Sequence, residues 1–176
     1  MDVTKLSAAQ SQLSTAIWLY FEDRDPVSIH TLATAAGEII DHLCNSRGVQ
    51  STRQQLRDAI KPEKRKEVFD KLDAARNFFK HASWKKPDQT LEGFNDDRNL
   101  FAILFGVTGL LSMREETLET MLFRSWITIV LPHLIVNRPS PEQVAIFGDI
   151  RNQPRSEQKK VGYDALYYHR HGRLPG

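Results

Sequence analysis

Residues 100–113, LFAILFGVTGLLSM, form the longest apolar stretch of the chain. A helix needs about 20 apolar residues to cross the hydrocarbon core of a bilayer, so these 14 residues are too few to span a membrane. An uncharged stretch of this length is instead typical of a helix that is buried in a protein core. The stretch therefore predicts a core helix, and the sequence on both sides of it indicates which elements accompany that helix.

Helical periodicity dominates the rest of the chain. Apolar residues recur at steps of three or four, and proline or glycine interrupts the pattern between segments. No segment shows the strict alternation of a strand. We predict helices over residues 4–23, 29–48, 51–60, 62–82, 96–112, 115–130, 140–151 and, within a basic tail, 157–169. The prediction is an all-α fold, an antiparallel helical bundle (residues 1–153) with additional short helices and a C-terminal tail or arm (residues 154–176).

Composition excludes several classes of protein. Of the 176 residues, 40% are hydrophobic and 26% are charged, which is too apolar for a disordered chain. The formal net charge of +2 provides no strong overall attraction for nucleic acid. Basic blocks at 47–66 and 151–176 nevertheless alternate with acidic blocks, as on solvated helix faces or on surfaces that meet an anionic partner. One cysteine, Cys44, and the absence of a signal-peptide pattern favour a cytoplasmic protein without a membrane partner.

The segment AARNFFKHASW, residues 74–84, contains the strongest candidate for chemistry. On a helix, Asp73, Asn77 and His81 recur every four residues and form one polar row. Arg76 lies five residues before His81, and its long side chain can reach back toward the histidine. Histidine can transfer protons near neutral pH, arginine can neutralise a phosphate, and asparagine can orient either group. These three side chains suffice for metal-independent RNA cleavage by the 2′-hydroxyl, so we expect no cofactor and no metal.

The run from Arg76 to His81 resembles the arginine–polar–three residues–histidine motif of HEPN domains, which are all-α and commonly dimeric. The resemblance implies that Arg76 stabilises phosphate, that His81 is the acid–base group and that Asn77 is the supporting polar residue. It also implies a homodimer, with RNA or a nucleotide as ligand.

Longer stretches, including DPVSIHTLATAAGEIIDHL and KPEKRKE, resemble a family of uncharacterised proteobacterial proteins. That family shares an Asn-Phe-Phe-Lys-His-Ala core, and the arginine before it is not obligatory. This second resemblance favours Asn77, Lys80 and His81, together with His30, as site residues. It implies no established activity.

Two alternatives remain open at this point. Arg76 can pair with Asp73, and His81 can bond a neighbouring helix or cap a helix end, in which case the chain is a noncatalytic interaction or scaffold domain. Glu38 and His42 stand four residues apart, a spacing that can bind metal, but a polar row is the favoured interpretation because no second motif completes a site.

Overall fold

The computed structural model describes residues 2–81, 88–134 and 139–175, and within them it confirms the all-α prediction. Those residues contain no strand. They form a short 3₁₀ turn at Pro132–Leu134 and eight α-helices: α1 (Lys5–Phe21), α2 (Pro26–Ser46), α3 (Thr52–Ala59), α4 (Pro62–Lys80), α5 (Asp96–Met113), α6 (Leu118–Val130), α7 (Pro141–Phe147) and α8 (Arg155–His171).

Capping residues mark the ends of several helices. Thr117 and Ser140 accept hydrogen bonds from the backbone N–H groups three residues later, which places the starts of α6 and α7. The predicted bounds differ from the observed ones by a few residues in both directions, and two helices end clearly earlier than predicted. Helix α4 ends at Lys80 rather than near residue 82, because His81 has an extended backbone. Helix α7 ends before Gly148, whose φ of 67° is left-handed, so the helix predicted to residue 151 stops there.

The predicted core helix is α5, which packs on α1 and α2. A Cβ atom at Gly106 would lie 2.9 Å from Leu13 of α1, and one at Gly109 would lie 2.4 Å from Ile40 of α2. Both glycines therefore allow α5 to approach its neighbours more closely than any larger residue would. The apolar residues of α5 that face this core are buried: Leu100, Ile103, Leu104, Val107, Leu110 and Met113.

Helix directions follow from these contacts. Asn99 at the start of α5 meets His30 near the start of α2, while Gly109 meets Ile40 further along both helices. Helices α2 and α5 consequently run in the same direction, and α1 runs antiparallel to both. Two parallel helices that are neighbours require a connection that returns from the end of the first to the start of the second. The segment that connects α2 to α5 includes α3 and α4. These two helices lie over one side of the α2–α5 pair.

The segment predicted as a C-terminal arm is largely helical. Its residues 155–171 form α8, which packs against α6, α1 and α7, and Leu166 is fully buried there. The side chain of Lys159 is only 4% exposed, and its Nζ lies 2.7 Å from Asp23 and 2.8 Å from Asp96. These two ion pairs join α8 to the α1–α2 turn and to the start of α5.

Within the described ranges, no helix has both the length and the apolarity that a membrane span requires.

Candidate functional site

The motif that suggested chemistry lies at the end of α4. Arg76 is one quarter exposed, and its Nη2 lies 3.5 Å from Asp73 Oδ2 and 3.4 Å from Asn77 Oδ1. His81 is exposed, and its backbone N–H donates to the Asn77 carbonyl at 3.0 Å. Among the residues that the structure describes, no hydrogen bond joins Arg76 to the His81 ring. Since His81 has left the helix, it does not continue the polar row that helical geometry predicted.

Asp73 faces α3 rather than solvent. Arg53 of α3 donates two hydrogen bonds to its carboxylate, Nη1 to Oδ1 at 3.0 Å and Nη2 to Oδ2 at 2.5 Å. Arg53 and Arg57 also lie over the Phe69 ring, with guanidinium carbons 4.6 and 4.7 Å from its centroid. A bidentate arginine–carboxylate pair with cation–π support orients helices. Asp73 therefore joins α3 to α4, with Arg76 as its second arginine neighbour.

The other two residues of the motif are exposed. Lys80 Nζ lies 3.6 Å from Glu38 Oε2 of α2, and both side chains remain about half exposed, so this ion pair contributes little to stability. Asn77 is exposed beside it. His42, the partner of Glu38 in the weighed metal motif, is exposed as well. In the described parts of the chain, no three His, Cys, Asp or Glu side chains are grouped so as to hold a metal ion.

A cavity of about 760 Å³ lies between α2, α3, α4 and α5. Three of the candidate site residues from the sequence line it: His30, Asp73 and Arg76. The other three, Asn77, Lys80 and His81, do not. Most of the wall area is apolar, and charged side chains of both signs complete it: the cations Arg53, Lys71, Arg76 and Arg98, and the carboxylates Glu38, Asp41 and Asp73.

Arg98 is one of three cavity cations, with Arg53 and Lys71, that the sequence did not single out. It lies in the acidic block at 88–119, and its placement beside His30 depends on the pairing of α5 with α2. Among the described residues, Arg98 has no carboxylate within ion-pair distance, whereas Arg53 and Arg76 share Asp73 and Lys71 contacts Glu67. With respect to the described residues, its guanidinium is therefore able to bind another anion.

His30 is a buried polar residue of the cavity wall. Only 3% of the residue is exposed, and its ring makes edge contacts with Phe79 and Phe94 at centroid distances of 5.8 and 5.3 Å. Asn99 donates through Nδ2 to the Pro26 carbonyl, at 3.1 Å, which leaves Asn99 Oδ1 as an acceptor for His30 Nδ1 at 3.1 Å. This bond requires the proton on Nδ1, so Nε2 carries a lone pair.

The charge state of His30 agrees with this arrangement. Burial lowers the pKa of the ring below its ordinary value, the Asn99 hydrogen bond opposes that effect, and the nearby Arg98 charge lowers the pKa further. The ring is therefore neutral at pH 7. Nε2 is buried and accepts no hydrogen bond from any described residue. A buried acceptor without a donor is uncommon in folded proteins and calls for an explanation.

Comparison of the chain with protein-family models, with curated proteins and with solved structures finds no match. The geometry of the cavity and of the end of α4 is therefore the basis for the function proposed below.

Proposed function

We propose that this protein binds a nucleotide in the cavity between α2, α3, α4 and α5. The observation that carries the proposal is the presence, in the wall of one cavity, of the neutral His30 ring and of Arg98, which has no carboxylate partner among the described residues. A nucleotide has both complementary groups, because its sugar and base donate hydrogen bonds and its phosphate binds arginine.

Size and lining support the same ligand class. Sites for small molecules usually have volumes of about 300 to about 1000 Å³ and mostly apolar walls with a few polar groups. This cavity, of about 760 Å³, agrees with both. Phe101 and Phe105 of α5 line it and provide aromatic faces on which a base can stack.

Calorimetric titration with the four common nucleoside 5′-monophosphates tests the proposal. We expect at least one to bind with a dissociation constant below about 1 mM. Arg98→Gln is expected to weaken that binding about 10- to 100-fold, because a hydrogen bond to a charged group contributes ~1.5–3 kcal/mol. Arg151→Gln, at an exposed position outside the cavity, is the matched control and should bind as the wild type does. Absence of binding, or equal affinities of the two variants, would contradict the proposal.

A second candidate is HEPN-like cleavage of RNA by a homodimer, with Arg76 and His81 as the reacting pair. One observation favours it: the His81 ring is exposed one residue beyond α4, on the helix that carries the partly exposed Arg76. An exposed histidine remains accessible to RNA and to the second copy that the HEPN resemblance requires.

Cleavage of single-stranded RNA in the presence of a chelator tests this second candidate. General acid–base catalysis contributes about 10²–10⁴ to a rate, so His81→Ala should slow cleavage at least about 100-fold. His42→Ala replaces another exposed histidine and should cleave at the wild-type rate. If the wild type does not cleave RNA, or if the two variants are equally active, the catalytic role of His81 is refuted.

A further inference from the structure

Eight residues of α2 line the cavity, and four of them form a stripe along the middle of this wall. His30, Thr34, Gly37 and Asp41 follow one another at steps of four, three and four residues, and all four line the cavity. Such steps place residues on one face of a helix. A ligand in the cavity therefore lies along this face of α2, and the residues of the stripe contact successive parts of it.

Gly37 differs from the other glycines inside the described helices. A Cβ atom at Gly106, Gly109 or Gly162 would lie within 3.0 Å of a side chain of a neighbouring helix, which explains why glycine is needed there. A Cβ atom at Gly37 would have no atom of a described residue within 4 Å. Glycine in a helix is less stable than alanine, and packing among the described residues gives no reason for it at this position. The space in front of Gly37 belongs to the cavity.

Because α2 and α5 are parallel, the same register relates their residues along the cavity. Asn99 meets His30 at one level, and Gly109 meets Ile40 ten residues further along both helices. Arg98 and His30 therefore lie at one level, and Phe105 and Gly37 lie at another. The two levels are seven residues apart, or roughly 10 Å at a rise of about 1.5 Å per residue. This is close to the length of a nucleoside monophosphate.

We propose that the ligand spans these two levels with its base over Gly37, beside Phe105, and its phosphate at Arg98. Gly37 is the position at which the flat base approaches the backbone of α2. This inference rests on the proposed nucleotide binding and adds the orientation of the ligand and the residue that admits the base.

Substitutions at Gly37 separate the effect of this glycine on the stability of the helix from its effect on ligand binding. Gly37→Ala and Gly37→Leu should fold, since none of the residues that the structure describes occupies the space, and Gly37→Ala should raise the midpoint of thermal unfolding by about 2–4 °C. Both should weaken binding of the nucleotide, Gly37→Leu by more than about tenfold. Affinity for ribose 5-phosphate, which lacks the base, should not change. Thr31→Leu, on α2 outside the cavity wall, is the matched control.

The outcomes distinguish a failure of this inference from a failure of the proposed nucleotide binding. If the wild type binds no nucleotide, the proposed function fails. If Arg98→Gln weakens nucleotide binding but Gly37→Leu does not, nucleotide binding stands and the position of the base is wrong. If Gly37→Leu weakens ribose 5-phosphate as much as the nucleotide, the base does not lie over Gly37, and the orientation is overturned.

Discussion

Trp126→Ala is expected to lower the free energy of unfolding by about 3–5 kcal/mol, the usual cost of deleting a large buried aromatic side chain. Trp126 is fully buried and packs against Phe21, Phe123 and Tyr20, with ring centroids 5.2, 5.7 and 6.0 Å away. Its Nε1 donates to the Gln158 carbonyl at 2.7 Å and so joins α6 to α8. For a chain of this length, the loss corresponds to a fall of about 6–20 °C in the unfolding midpoint.

Two variants control for the mechanism. Trp126→Phe keeps most of the ring packing and loses the hydrogen bond to Gln158. We therefore expect a smaller loss for it, on the order of 1 kcal/mol. Tyr168→Ala removes an aromatic residue of α8 that is 52% exposed. Its effect should stay within about 0.5 kcal/mol. Chemical denaturation measures all three, and a loss for Trp126→Ala no greater than that for Tyr168→Ala would show that α8 does not depend on this contact.

Asn99→Leu is expected to destabilise the protein by about 2–4 kcal/mol, although leucine has a similar size and branching. Asn99 is fully buried and makes two hydrogen bonds, one to the Pro26 carbonyl and one from His30 Nδ1. Leucine makes neither, so the N–H of His30 remains buried without an acceptor, a penalty of about 1–3 kcal/mol by itself. The variant also removes the group that determines the tautomer of His30.

A double-mutant cycle identifies the cause of this loss. His30→Phe together with Asn99→Leu removes the donor and its acceptor at once, so the combined loss should be smaller than the sum of the two single losses by about 1 kcal/mol or more. Urea denaturation of the wild type and the three variants provides the four free energies. Strictly additive losses would show that the bond between His30 and Asn99 does not stabilise the fold.

Helix positions were predictable because the signals are local. Each helix is specified by apolar residues at steps of three and four and by stop signals within a few residues of its ends, as at Pro26 and Pro62. The predicted bounds were wrong at helix ends that are determined by the backbone conformation of a single residue. His81 is extended although its own sequence is compatible with helix, and this one residue removes it from the predicted row with Asp73.

The candidate site was predictable only in part. His30, Asp73 and Arg76 were singled out from the sequence and line the cavity. Asp73 was chosen as part of a polar row with His81, and Arg76 for its reach toward His81 and its match to the HEPN motif, whereas the cavity brings both residues together with His30 instead. The sequence did not indicate a role for Arg98 or Gly37, because an arginine in an acidic block and a glycine among alanines match no functional motif. Their importance depends on residues far away in the chain.

The sequence by itself determined an all-helical protein with its core stretch at residues 100–113, since periodicity and capping act over a single turn of helix. Only the tertiary structure decided that α2 and α5 run parallel, that α3 and α4 close a cavity beside them, and that α8 belongs to the bundle. The physical reason is that the shapes of the buried helix surfaces determine which helices pack against each other. Close packing at Gly109 and Gly162 brings together residues that are far apart in the chain, and no local pattern records which surfaces meet.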